Sequence, residues 1–198
     1  MPLNAMERRI VEGAKQAHRE YYRLSNEWLD HAPEFFLTTM VARELGRGVM
    51  KYWVYLDASP KKIKDEMEHV SPGQPAKNNQ FRFDLVVWWK NNLPRAVIEV
   101  KRAWAIAPLL KDKKKIIGFL KQKQAKGAKR GYLLVYSEAR EKKGKKGSGK
   151  NTLCNRFNNF ATQLKAELAG APHIETPLNN HWEEKYSWGI ALYRIKKS

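Results

Sequence analysis

The sequence predicts a mixed α/β domain, and three observations lead to this prediction. Segments with apolar residues at helical spacing alternate along the chain with segments rich in strand-forming residues. Two of the strand-like segments are joined by a short turn, as in an antiparallel hairpin. The chain has 198 residues, of which 42% are hydrophobic, and this is enough for a buried core. We therefore expect residues 1–198 to form a single domain.

Two helices are predicted first. Apolar residues recur every three or four positions over residues 4–24, which is the spacing of one helix face. A second helix is predicted over residues 33–45, because Pro33 suits a first helical turn and Gly46 suits a stop. The first helix then belongs to an N-terminal helical extension, residues 1–32.

The next segments are a strand, a short helix and a loop. Residues 51–56 are rich in aromatic and β-branched residues, which predicts a strand. A short polar helix is predicted over residues 59–69. Residues 70–80 contain two prolines, a glycine and two asparagines, which is typical of a loop, and this loop is the best candidate for a mobile segment.

An antiparallel hairpin is the clearest unit in the sequence. Residues 81–89 and 96–102 are both rich in strand formers, and the turn between them contains Asn91, Asn92 and Pro94. Because successive residues of a strand point to opposite faces, the second of these strands separates its polar side chains from its apolar ones.

The remaining elements complete the alternation. A helix is predicted over residues 108–126, a buried strand over 132–136 and a basic Gly, Lys and Ser loop over 139–150. A helix over residues 153–168 and a strand over 186–195 follow. The order is helix, strand, hairpin, helix, strand, helix and strand.

Candidate functional residues lie on the hairpin. Glu99 and Lys101 share one face of their strand, while Ile98 and Val100 point into the core. With the turn centred between residues 92 and 93, Asp84 lies opposite Lys101 and diagonal to Glu99. Diagonal neighbours on one face are about 7–8 Å apart at the backbone, so two carboxylates can reach toward one cation. A register shift of one residue would separate them.

This set of side chains suits metal-assisted cleavage of a phosphodiester. Mg²⁺ prefers carboxylate oxygens, and a bound cation neutralises oxygen charge and delivers hydroxide. A neighbouring ammonium adds a second positive charge. The plain alternative is an exposed salt bridge on a strand face, which contributes about 0–1 kcal/mol to stability.

The chain resembles the PD-(D/E)xK nuclease superfamily at these positions. The resemblance rests on Asp84 in Phe-Arg-Phe-Asp-Leu-Val-Val and on Glu99 and Lys101 in Val-Ile-Glu-Val-Lys, which lie fifteen residues further on. It implies a restriction-endonuclease-like core, a mixed central sheet flanked by helices, over residues 33–136. Phe83 stands where the family motif has proline. Residues 137–198, a basic loop with a C-terminal helix and strand, are outside the resemblance.

The resemblance also implies roles for the residues. Asp84 and Glu99 would hold Mg²⁺, or Mn²⁺ in its place, and Lys101 would assist the attacking water. Many members of the superfamily use a glutamate from the preceding helix, which makes Glu44 a candidate additional acid. The expected activity is that of a Mg²⁺-dependent endodeoxyribonuclease, with DNA preferred over RNA as the substrate.

The charge of the chain favours a nucleic-acid partner. The formal net charge is +18, and residues 111–150 hold 15 basic and 3 acidic residues, a net of +12. Clustered ammonium groups release condensed counterions when they bind phosphates. A solvated basic face is the plain alternative. The predicted nucleic-acid-binding residues are Lys113, Lys114, Lys115, Lys121, Lys142, Lys143, Lys145, Lys146 and Lys150.

Two other predictions concern the compartment and the assembly. Cys154 is the one cysteine of the chain, no leader-like segment is evident, and the apolar runs are too short to cross a bilayer. We therefore expect a cytoplasmic protein without a membrane partner. A homodimer is an attractive arrangement for a double-strand cut, because such a cut needs two active sites.

Three alternatives to a nuclease are open. Residues 144–151 resemble a phosphate-binding loop, but Asn151 stands where such a loop needs a hydroxyl for Mg²⁺. A non-catalytic nucleic-acid-binding protein could keep a nuclease-like fold. An assembly factor for ribonucleoprotein would need the charge alone.

Overall fold

The computed structural model describes residues 2–47, 53–59, 63, 82–89, 91, 93–122, 128, 130–142, 145, 147–176 and 186–196. The predicted loop 70–80 and nearly all of the predicted helix 59–69 lie outside these residues, and so do Lys143 and Lys146. No helix in the described part of the chain has the length and apolar character that crossing a bilayer requires.

Four helices and seven strands are described. The helices are α1 (Ala5–Ser25), α2 (Glu34–Gly46), α3 (Ala107–Leu120) and α4 (Ser148–Leu164), with one 3-10 turn at Leu29–His31. The strands are β1 (Trp53–Ala58), β2 (Phe83–Trp88), β3 (Pro94–Arg102), β4 (Arg130–Arg140), β5 (Glu167–Leu168), β6 (His173–Glu175) and β7 (Tyr186–Lys196).

The strands form one mixed, open sheet in the order β1-β2-β3-β4-β7-β5, and β6 also pairs with β7. Strands β3 and β4 are parallel, and the other strand pairs of the described chain are antiparallel. A parallel pair needs a crossover between its strands, and α3 lies in that crossover. The predicted mixed α/β class is confirmed.

Helices cover both faces of the sheet. Apolar residues of α1 and α2 pack on one face, against side chains that include Leu85, Ile98 and Val100. Helices α3 and α4 pack on the other face, against side chains that include Val86 and Val97. Because both faces are covered, a polar side chain near the middle of β3 is buried whichever way it points.

A buried ion pair joins the first helix to the last strand. Glu7 is 0% exposed, and its carboxylate accepts hydrogen bonds of 2.7 Å from both Nε and Nη2 of Arg194. The Tyr132 hydroxyl and the Asn4 amide also donate to this carboxylate. Asn4 in turn caps α1 by accepting from the Glu7 amide. The N-terminal helix is therefore fastened to the sheet.

Several predicted boundaries were wrong, including both ends of the last helix. The last helix begins at Ser148, within the predicted loop 139–150, and it ends at Leu164. Residues 167–168, which were predicted to continue that helix, form β5 instead. The helix ends because Lys165 adopts a left-handed conformation with φ 46°.

Candidate active site at the end of the central hairpin

The hairpin register differs by two residues from the predicted one. Leu85 pairs with Ile98, and an irregularity between Val87 and Trp88 shifts the register near the turn. Continuing this register by one residue places Asp84 beside Glu99, not diagonal to it. A shift of two residues leaves each side chain on its original face, so the two carboxylates still face the same side of the sheet.

Asp84 is fixed at the point where the β2–β3 ladder ends. Beyond the Leu85–Ile98 pair, the Val100 amide donates to Asp84 Oδ2 at 2.7 Å. The carboxylate thus takes the place of a strand carbonyl. One oxygen is held by the backbone of β3, and the side chain as a whole is half-buried.

Glu99 is the most deeply buried residue of the predicted triad. Its side chain is 1% exposed, because α3 packs over this face of the sheet. Burial raises the pKa of Glu99 to about 8, and the negative charge of Asp84 adds to the effect. Lys115 opposes the shift, since its Nζ lies 2.6 Å from Glu99 Oε1. The Lys115 ammonium therefore favours the ionised carboxylate.

Lys101 points to the same site and is paired with an acid from α2. Its Nζ donates to Glu34 Oε1 at 3.0 Å. Burial alone would lower the pKa of Lys101, but this hydrogen bond and the charge of Asp84 raise it. Lys101 is thus held as an ammonium, which suits charge stabilisation and does not suit proton abstraction.

Glu34, and not Glu44, is the α2 glutamate that contacts the predicted triad. The Glu44 carboxylate lies 3.9 Å from Arg9 and 4.0 Å from Arg47. Ten residues separate the two glutamates, which is about 15 Å along a helix axis. The structure therefore places Glu44 toward the opposite end of α2 from Lys101.

Asp112 is a further acid near the triad that the sequence analysis did not select. It lies on α3 and is 7% exposed, and the charges of Lys101, Lys115 and Asp84 all act on its pKa. Burial raises that pKa, and the two lysines lower it. A signal was available, because Leu109, Asp112 and Ile116 fall at the spacing of one buried helix face.

Two of the predicted nucleic-acid-binding lysines make contacts inside the protein. Lys115 is held by Glu99 and also donates to the Arg82 carbonyl at 2.7 Å. Lys113 donates to the Leu164 carbonyl, which joins α3 to α4. The other described lysines of the predicted set are exposed: Lys114, Lys121, Lys142, Lys145 and Lys150.

An aromatic side chain lies close to Lys101 in sequence and is open to solvent. Trp104 follows β3 by two residues and is 51% exposed. Trp88 is 2% exposed and belongs to the core, while Trp89 has the Arg95 guanidinium over its ring at 4.1 Å. Of these three tryptophans, Trp104 is the most exposed and the nearest in sequence to Lys101.

The glycine-rich segment at the start of α4 binds the carboxylate of Glu141. Ser148 Oγ donates to Glu141 at 3.0 Å and accepts from the Lys142 amide. The pKa of Glu141 lies below its ordinary value. Burial raises this pKa, but hydrogen bonds from the Gly149 amide and the Ser148 hydroxyl lower it by more. Glu141 thus fills the position at the N-terminus of α4 where a phosphate would bind. This arrangement disfavours the phosphate-loop alternative.

The metal-binding potential of the site rests on carboxylate oxygens. No group of three or more His, Cys, Asp or Glu side chains in the described residues has the arrangement of a metal site. Asp84 and Glu99 are nevertheless the hard oxygen donors that Mg²⁺ prefers. A positive charge, the Lys115 ammonium, already lies against Glu99. The two side chains therefore fit a cation chemically.

The site thus brings together three predicted residues, Asp84, Glu99 and Lys101, with Glu34, Asp112 and Lys115. Comparison of the chain with protein-family models, curated proteins and solved structures found no match.

Proposed function

We propose that this chain is a metal-dependent nuclease with a restriction-endonuclease-like fold, acting on DNA in preference to RNA. The observation that carries the proposal is the meeting of Asp84, Glu99 and Lys101 on one side of the sheet, at the end of the β2–β3 ladder. Buried carboxylates beside an ammonium are costly to assemble, so such a group is a candidate functional site.

Each residue has a distinct part in the proposed reaction. Asp84 is oriented by the Val100 amide, and Glu99 by its burial beneath α3. Together they would hold Mg²⁺, which when bound supplies a nucleophilic water and withdraws charge from the phosphate. Lys101, held as an ammonium by Glu34, would stabilise negative charge on the phosphate oxygens.

The exposed lysines supply the binding surface in this proposal. Lys114 and Lys121 lie on α3 or directly after it, on the same side of the sheet as Glu99 and Asp112. Contacts to phosphates fix the position of a nucleic acid without selecting its sequence. The proposed enzyme would therefore bind DNA broadly and cut where the backbone reaches the carboxylates.

The test is a nuclease assay on circular single-stranded DNA, circular double-stranded DNA and RNA, with Mg²⁺, Mn²⁺ or EDTA. Asp84→Asn keeps an oxygen that can accept from the Val100 amide but removes the charge, so it should abolish cleavage and leave binding intact. Lys101→Met should behave in the same way, and Lys15→Met, which removes a similarly half-buried and ion-paired lysine from α1, is the matched control. Cleavage that survives in a clean Asp84→Asn preparation would refute the proposal.

A second candidate is a nucleic-acid-binding protein without catalysis. The specific observation in its favour is the Lys115–Glu99 ion pair, which already neutralises one of the two proposed metal ligands. In that case salt-dependent binding would be found on every substrate, and no metal would produce cleavage. The same assay therefore separates the two candidates.

A further inference from the structure

Lys115 holds a position that a bound cation would also need. Its Nζ lies 2.6 Å from Glu99 Oε1 and donates to the Arg82 carbonyl at 2.7 Å, and its side chain is only 17% exposed. Because the Glu99 carboxylate is buried, the Lys115 ammonium compensates its negative charge while no other cation is present. A divalent cation on Glu99 would meet this charge at close range.

A second acceptor for the same ammonium lies one helical turn away. Asp112 Oδ1 is 3.8 Å from Lys115 Nζ. The other oxygen, Asp112 Oδ2, is buried and has no hydrogen-bond partner among the described residues. A buried oxygen without a partner destabilises a protein, so this oxygen would gain from receiving an ammonium.

We propose that Lys115 is an internal cation that competes with the metal for Glu99, and that Asp112 receives the Lys115 ammonium when a divalent cation binds. The inference rests on the proposed function, because it concerns the same carboxylates. Asp112 is a positioning residue in this scheme: it acts through Lys115 and does not touch the metal or the substrate.

The geometry supports a short movement of the side chain. Residues three apart on a helix are neighbours on its surface, so Lys115 can turn from Glu99 to Asp112 without movement of the backbone. Repulsion between a divalent cation and the ammonium would drive the movement, and the unpaired Asp112 Oδ2 would stabilise its end point.

The proposal predicts a specific pattern in a double-mutant cycle. Lys115→Met removes the competitor and should tighten Mg²⁺ binding by about tenfold, which corresponds to about 1.4 kcal/mol. Asp112→Asn removes the negative charge that would receive the Lys115 ammonium, so it should weaken Mg²⁺ binding by a similar factor. In the Lys115→Met background, Asp112→Asn should have no effect, because Asp112 acts through Lys115. Lys15→Met removes an ion-paired lysine of similar exposure from α1, so it is the control and should bind Mg²⁺ as the wild type does.

The measurement is isothermal titration of the full chain with Mg²⁺ at about pH 8.5, where protons compete less for Glu99. Thermal unfolding of each variant verifies that it is folded. If Asp112→Asn weakens binding equally with and without Lys115, Asp112 is itself a ligand and the proposal fails. It also fails if Lys115→Met leaves the wild-type affinity unchanged.

A second measurement on the wild type does not depend on the variants folding. A buried, ion-paired ammonium gives an observable lysine ¹⁵N signal, assigned by its loss in Lys115→Arg. Addition of Mg²⁺ should shift this signal. Cleavage of DNA together with an unchanged Lys115 signal would overturn this inference alone, whereas absence of both Mg²⁺ binding and cleavage would overturn the proposed function as well.

Discussion

At the scale of single residues, burial changes the chemistry of Glu99. The sequence permitted an exposed salt bridge, which contributes about 0–1 kcal/mol. The structure places Glu99 beneath α3 with 1% of its side chain exposed. Loss of one partner of such a buried pair leaves an uncompensated charge, which typically costs about 3–5 kcal/mol. The ionised form of Glu99 therefore depends on a cation, whether that cation is Lys115 or a metal, and without one the buried carboxyl would take up a proton.

His18 provides a prediction for the dependence of stability on pH. Burial lowers its pKa from the usual 6.5 to about 4, and its ring stacks on Trp188 at 3.9 Å. The charge of Arg19 also lowers the pKa, and those of Glu175 and Asp30 oppose the shift. Since the unfolded chain takes up the proton first, His18 destabilises the fold as the pH falls below about 6.5.

Between about pH 7 and about pH 5, His18 should lower the free energy of unfolding by about 2 kcal/mol. Glu99 and Glu138 both have pKa values raised to about 8 and act in the opposite direction over this range. The measurement is therefore the difference between the wild type and His18→Gln in urea unfolding at both pH values. A difference that does not change with pH would contradict the prediction.

At the scale of secondary-structure elements, the sequence predicted the periodic segments well and their connections less well. Helix α1 was predicted over residues 4–24 and is found at Ala5–Ser25. The short strands β5 and β6 were not predicted, because two or three residues are too few to show the alternation of a strand. Their pairing with β7 depends on tertiary structure.

The side of the sheet on which the candidate residues lie was predictable from the sequence, but their burial was not. Alternation along β3 places Glu99 and Lys101 on one side of the sheet whatever the hairpin register. Asp84 stays on that side because the register shift is even. The burial of Glu99 depends on the packing of α3 over that side of the sheet. This packing cannot be predicted from the residues of β3 alone. For the same reason Asp112 and Glu34, which come from other elements, were not selected.

The packing of α3 on β4 gives a second prediction. A Cβ added at Gly131 would lie 2.0 Å from Ile116 Cγ2, so Gly131→Ala requires the Ile116 side chain, the helix or the strand to move. We expect it to lower the free energy of unfolding by about 2 kcal/mol. Gly118 lies on α3, as Ile116 does, and a Cβ added at Gly118 meets nothing within 4 Å, so Gly118→Ala is the control.

Truncating the opposing side chain should relieve the clash. In Ile116→Ala the Cγ2 atom is absent, and Gly131→Ala should then cost much less than in the wild-type background. Chemical denaturation of the two single variants and the double variant gives the coupling free energy. Additive effects of the two substitutions would show that the two elements do not meet as described.

At the scale of the whole molecule, the charge is unevenly distributed between the two sides of the sheet. Residues 1–50, which include α1 and α2, hold 7 basic and 7 acidic residues and are neutral overall. Residues 111–150 carry a net of +12, and the helical parts of this stretch pack on the opposite face. A polyanion should therefore approach the side formed by α3 and α4.

Salt dependence of DNA binding tests this asymmetry. Lys111 and Lys114 are exposed on α3, and Lys111→Gln/Lys114→Gln should reduce the slope of log K against log salt by about 2 for duplex DNA. The control is Arg19→Gln/Arg23→Gln, which removes the same charge from α1 on the other side. Fluorescence anisotropy over a salt series measures both. Equal slopes in the two double variants would contradict the prediction.

The pairing of β4 with β7 also has a consequence for synthesis. The two strands pair over eleven residues, Arg130–Arg140 with Tyr186–Lys196, so this ladder cannot form until residue 196 has left the ribosome. At a synthesis rate of roughly 5–20 residues per second, the edge of β4 stays unpaired for several seconds. In that interval the β7 strand of a neighbouring nascent chain offers an identical partner. Strand exchange between chains is therefore the characteristic misassembly that this topology invites, and crowded polysomes would favour it.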